Sequence, residues 1–138
     1  MVAEMAITSG FNHIATMTTD LDRFVAWYGE VFDATVVHEI AKRDDHPRMI
    51  ILDMGGAALN VFEVPADQIV GEQRTIGARG AIDHFGIAVP DLPTLEKVKD
   101  RLVAAGADIG EIQQLGDDWS LFFRDVDGME LEVCAKSD

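Results

Sequence analysis

The chain has 138 residues, 48% of them hydrophobic, which suits one domain with a buried core. Its 11 basic and 25 acidic side chains give a formal charge of −14, which repels a phosphate backbone and argues against nucleic-acid binding. Cys134 is the single cysteine, so an internal disulfide or a Cys-rich zinc site is excluded, and no apolar run nears the roughly 20 residues that span a bilayer.

The opening "MVAEMAITSG" lacks the basic-then-apolar pattern of a signal peptide, and a cytoplasmic location is expected. A strand is predicted over about 10–18. Leu21, Phe24, Val25, Tyr28 and Phe32 then recur at helical spacing behind the capping candidates Thr19 and Asp20. Three strands follow, "TVVHEI", "RMIILDM" and "ALNVFEV". Residues 65–81 carry Pro, glycines and mixed charge without a clean period and read as a connector. A strand over 82–89 opens the second half. Leu95, Val98 and Leu102 mark a helix behind Asp91, with Pro93 in its first turn and Gly106 as its stop. The strands "IGEIQQL", "WSLFFRD" and "MELEVCA" complete it. The order is β-α-β-β-β twice within one domain over 1–138: module one at about 8–64, module two at about 82–136.

The halves align residue by residue. His13, Asp20 and Leu21 match His84, Asp91 and Leu92 at an offset of 71, while Gly55-Gly56 and Leu59 match Asp127-Gly128 and Leu131 at 72. Gly-Gly and Asp-Gly both favour two-residue hairpin turns. Strand alternation sets Phe85, Ile87 and Val89 on one face and His84, Gly86 and Ala88 on the other. His13, Ala15 and Met17 share a face in the same way. On the last strand Leu131 and Val133 oppose Glu130, Glu132 and Cys134. An unpaired glutamate inside a strand is costly, and a divalent cation would satisfy it together with the two histidines.

The segments "NHIATMTTDLDRFVAWYGEVFDA", "DHFGIAVPDLPTLEKVKDRLVAAGAD" and "FFRDVDGMELE" resemble the vicinal oxygen chelate superfamily, over about residues 10–135. This superfamily contains glyoxalase I, bleomycin-resistance proteins, extradiol dioxygenases, methylmalonyl-CoA epimerase and fosfomycin-resistance thiol transferases. The resemblance implies an α+β fold in which two tandem βαβββ modules form a curved, open barrel. It also implies a metal on the concave side, held by the first and fourth strands of each module. Carried across, His13, His84 and Glu132 are the ligands. Asn60 occupies the position where glyoxalase I and the epimerase have a second glutamate.

Two histidines and one carboxylate suit Fe(II) or Mn(II), with Zn or Ni as alternatives, and leave positions for a bidentate oxygenated substrate. The function expected is a metal-dependent enzyme with dioxygenase-like, ring-cleavage chemistry on a small molecule. The alternatives are a glyoxalase-like lyase or isomerase, an antibiotic-modifying thiol transferase, and a metal-free, drug-sequestering binder. His38, Glu130, Tyr28 and Cys134 are candidate proton donors or acceptors, and Asn60, Phe62, Trp119 and Cys134 candidate pocket residues. A phosphonate would need cations near the metal, for which Arg124 and Arg48 are the obvious candidates. The resemblance further implies a homodimer, in some members with modules exchanged so that each site draws on both subunits.

Overall fold

The computed structural model describes residues 7–8, 10–69 and 82–136, so most of the connector lies outside the described residues. In chain order the elements are β1 (His13–Thr18), α1 (Leu21–Phe32), β2 (Thr35–Ile40), β3 (Met49–Asp53) and β4 (Ala58–Glu63), then a 3-10 turn at Ala66–Gln68. The second half gives β5 (Phe85–Val89), α2 (Leu92–Ala104), β6 (Gln113–Leu115), β7 (Asp118–Arg124) and β8 (Glu130–Lys136). This is the α+β, tandem βαβββ architecture read from the sequence. It forms two open four-stranded sheets, ordered β1-β4-β3-β2 and β5-β8-β7-β6. In each, the first strand runs parallel to the last and the remaining pairs are antiparallel.

Local chemistry explains why the helices sit between the strands. The carboxylate of Asp20 accepts from the amide of Arg23, and that of Asp91 from the amide of Thr94, each satisfying a donor that the first helical turn leaves unpaired. α1 ends on Asp33 in the left-handed region at φ 56°, and α2 is followed by Gly106 at φ 73°. The buried stripe of α1 comprises Leu21, Phe24, Trp27, Tyr28 and Val31, and that of α2 comprises Leu95, Val98 and Leu102. Both face one core together with Leu59, Val61, Leu121, Phe123, Leu131 and Val133 from the sheets. Trp27 stacks on Phe123 of the other module at 6.2 Å, so the modules share apolar contacts through α1.

Two local expectations are corrected. The sixth strand, predicted over 109–115, keeps a ladder only at Gln113–Leu115, and Ile109 makes an isolated bridge to Phe123. The hairpin connections are longer than two residues: 54–57 joins β3 to β4, and 125–129 joins β7 to β8. In the second connection Oδ1 of Asp125 accepts the amides of Asp127 and Met129, building a wider turn around that carboxylate.

Candidate metal centre

Each sheet packs one face on the shared core and leaves the other open. On β8 the core residues Leu131, Val133 and Ala135 alternate with Glu130, Glu132 and Cys134. Directly paired residues of neighbouring strands share a face. Gly86 pairs with Glu132 and Ala88 with Cys134 on one side, while Phe122 pairs with Glu132 and Ser120 with Cys134 on the other. Gly86 and Ala88 are the small residues of β5 on this face, where a Cβ on Gly86 would lie 3.7 Å from Sγ of Cys134, and His84 stands just ahead of β5.

Nε2 of His84 lies 3.1 Å from Oε1 of Glu132, and both side chains are largely shielded, at 22% and 16% exposure. The other atom of each group is already committed. Nδ1 of His84 faces Oδ1 of Asp83 at 2.7 Å, and the hydroxyl of the buried Ser120 donates to Oε2 of Glu132. Phe122 meets the His84 ring edge-on at 5.1 Å. The Asp83 carboxylate holds the His84 imidazole above its ordinary pKa, with Glu132 adding to the effect and partial burial opposing it. The thiol of Cys134 is pushed up to about 12, first by burial and then by Glu132, so at neutral pH it is a neutral group.

The remaining sequence candidates divide by face. His13 opens β1 with its side chain exposed and Nδ1 at 2.8 Å from Oδ1 of Asn12. Asn60 pairs with Ala15 and Ile51, and Phe62 with Met17 and Met49, so both share the open face of the first sheet with His13. His38, paired with Ile51, is exposed on β2. Glu130 lies on the same face as Glu132 and contacts Arg124 at 3.3 Å. Two candidates sit elsewhere. Tyr28 is fully buried with its hydroxyl 2.7 Å from Oδ2 of Asp125, and Trp119 packs against the core while Ser120 and Phe122 carry the open face. Phe122, which alternation in "WSLFFRD" puts opposite Trp119, is therefore the aromatic group beside the His84–Glu132 pair.

The structure brings His84 and Glu132 together and leaves His13 on the other sheet. Among the described residues no group of three His, Cys, Asp or Glu side chains is placed to hold a metal ion. The reason is topological: β1 and β5 are edge strands of separate sheets and share no ladder. The donors fit a divalent metal in kind, an imidazole nitrogen beside a carboxylate oxygen, and fall short in number within one chain. The two arginines considered for a phosphonate are engaged. Arg124 contacts Glu130 and the carbonyl of Gly128, and Arg48 contacts Asp22, Glu39 and Glu63.

No helix among the described residues is long and apolar enough to cross a membrane. The sequence matches the Glyoxalase/Bleomycin resistance protein/Dioxygenase superfamily over residues 10–133. No curated protein matches it at a significant level. Among solved structures it is similar to a glyoxylase/bleomycin resistance protein/dioxygenase domain from Frankia sp. EAN1pec, at 26% identity over 94% of this chain and 99% of that one, with a TM-score of 0.76. It is also similar in fold to the fosfomycin resistance protein FosX of Listeria monocytogenes, at 16% identity, 95% and 96% coverage and a TM-score of 0.70. Lactoylglutathione lyase from Agrobacterium tumefaciens aligns at 21% identity, with 94% and 96% coverage and a TM-score of 0.64. With its two βαβββ modules and a match over residues 10–133, the chain belongs to the Glyoxalase/Bleomycin resistance protein/Dioxygenase superfamily.

Proposed function

We propose that the protein is a divalent-metal-dependent enzyme acting on a small oxygenated molecule, with His84 and Glu132 of one copy and His13 of a second copy as its protein ligands. The observation that carries this reading is the His84–Glu132 pair: the far atom of each side chain is anchored, and the near atoms, 3.1 Å apart, face each other on an open sheet. Support for the second copy comes from the repeat. Phe11 and Ile82, equivalent at offset 71, precede β1 and β5 and are 86% and 79% exposed, an apolar residue beside each metal histidine. Juxtaposing β1 of one copy with β5 of another in a two-fold homodimer would cover both residues and supply the missing donor twice.

When bound, the metal supplies Lewis acidity toward vicinal or enolic oxygens. The chain orients and shields. Phe122 walls the site beside His84, and Gly86 and Ala88 leave room over β8 for a planar substrate. Glu130, one pleat from Glu132, is the best-placed group for proton transfer. His38 is three strands from β1, roughly 14 Å at the usual ~4.8 Å strand spacing. Asn60 in place of a second carboxylate supports dioxygenase-like ring cleavage over glyoxalase-like proton shuttling, and the engaged Arg124 and Arg48 weigh against a phosphonate. The expected metal is Fe(II) or Mn(II). FosX of Listeria monocytogenes has been solved with Mn(II), which supports a divalent ion on this fold.

The test is metal analysis of protein purified without chelators, followed by oxygen uptake with a catechol panel after anaerobic Fe(II) loading. About one metal per chain, lost in His84→Ala and Glu132→Ala, with oxygen consumption on a catechol, is the expected result. Metal binding without oxygen uptake overturns the ring-cleavage assignment. Tight binding of a planar drug without metal points instead to a sequestering protein.

A further inference from the structure

We infer that Asn12 and Asp83 are a duplicated pair of positioning residues that hold the Nδ1 side of His13 and His84, so that Nε2 is the atom each ring presents to a ligand. The inference rests on the reading of both histidines as metal ligands. It adds the groups that make Nε2 the ligating atom in both modules.

The geometry is the same in each repeat. Oδ1 of Asn12 lies 2.8 Å from Nδ1 of His13, and Oδ1 of Asp83 lies 2.7 Å from Nδ1 of His84. The two clamps are equivalent at the offset of 71 that relates the histidines. A carboxamide oxygen and a carboxylate oxygen are both acceptors, so the ring nitrogen facing them donates. In a neutral imidazole a proton on Nδ1 leaves Nε2 as the acceptor, and which nitrogen carries the proton is set by the bond the other makes. Free imidazole side chains prefer the opposite form, with the proton on Nε2. The Asn12 clamp therefore selects the form that water does not. At His84, where Nε2 also faces Oε1 of Glu132 at 3.1 Å, Asp83 competes with Glu132 for the ring proton until a ligand takes Nε2. The neighbour one residue back can do this because Asn12 and Asp83 both precede their strands, where the side chain turns alongside the ring. Inside a continuous strand the same neighbour would point to the other face.

The chemistry of the clamps differs between modules. Asp83 carries charge and increases the basicity of His84, while Asn12 fixes His13 without adding charge, a difference that keeps the summed negative charge of the donor set down. A partner on the distal nitrogen of a metal-bound histidine is worth about 10- to 100-fold in metal affinity in other sites, which sets the scale for these two.

The experiment uses the full chain labelled with 15N at histidine. Ring 15N shifts are recorded in metal-free protein well above the imidazole titration range, with His13→Gln and His84→Gln to assign the signals and the exposed His38 as an internal reference. The expected result is Nδ1 protonated and Nε2 unprotonated in wild-type His13, and in His84 once Glu132→Ala removes the acceptor that faces its Nε2. Asn12→Ala should move His13 alone toward the Nε2–H form and Asn12→Asp should keep the wild-type tautomer; in the Glu132→Ala background Asp83→Ala should move His84 alone and Asp83→Asn should not. Mn(II) and Zn(II) dissociation constants, read by calorimetry, should weaken by about 10- to 100-fold in the two alanine variants and recover in the conservative ones. A His13 ring protonated on Nε2 in the wild type, or rings that ignore the alanine substitutions, overturn the inference. Metal bound with equal affinity by all variants overturns it too. Tautomers that respond as expected in a protein that binds no metal refute the metal-site reading and leave the two clamps standing.

Discussion

The carboxylate of Asp125 is buried between the modules with both oxygens occupied, Oδ1 by the amides of Asp127 and Met129 and Oδ2 by the hydroxyl of Tyr28. Tyr28→Phe keeps the stacking on Phe24 and strands one carboxylate oxygen. It should cost about 1–3 kcal/mol, measured by denaturant unfolding. Burial raises the carboxyl of Asp125 above its ordinary value of 3.8 despite those hydrogen bonds. The folded chain thus binds this proton more tightly than the unfolded chain does. The resulting contribution is fully present below the ordinary value and is lost as pH rises through the folded-state one. Asp125→Asn lacks it, so the stability of the wild type relative to this variant should fall between acid and neutral pH. A relative stability that rises over that interval would contradict the burial argument. Helical spacing in "LDRFVAWYGEVF" puts Tyr28 on the apolar stripe, but its partner stands 97 residues away, so the role of its hydroxyl could not be read from the sequence.

β8 joins stability and chemistry on one strand, because Leu131, Val133 and Ala135 pack into the core while Glu132 stands on the other face. Leu131→Ala should destabilise by about 2–5 kcal/mol, in keeping with truncation of a fully buried leucine. Gly128, at φ 81° in the turn before β8, is strained by any side chain, and Gly128→Ala should cost roughly 1–2 kcal/mol in the same unfolding assay. At this scale the sequence was most legible. Both helices and the strand alternation follow from the period of the apolar residues, and the face of β8 that carries Glu132 follows from alternation alone. Less legible were features set by contact. The ladder of β6 shrinks to Gln113–Leu115, and the turn at 125–129 widens around Asp125; neither leaves a mark in the local pattern. Trp119 illustrates the same limit: a strand aromatic fits either face by propensity, and packing against the core decided it.

For the whole molecule, duplication identified the two histidines as equivalent, and it could not say that they stand on separate sheets of one chain. Chain connectivity settles that: α1 packs into the core shared with the second module, and β1 and β5 remain as edges. Assembly of two chains that each carry −14 works against long-range repulsion, which salt screens beyond about 8–10 Å. The proposed dimer should therefore tighten between low and moderate ionic strength in sedimentation equilibrium.

The shared site is tested most directly by complementation between two inactive variants, His13→Ala and His84→Ala, refolded separately and as a mixture, with bound metal measured after removal of excess. Each variant alone should bind no metal in the site. In the mixture, half of the dimers pair the two variants, and each of these regains one intact site from His13 of one chain with His84 and Glu132 of the other, about a quarter of the wild-type content. A mixture that binds no more metal than the variants alone, while the wild type binds one ion per chain, would contradict the account.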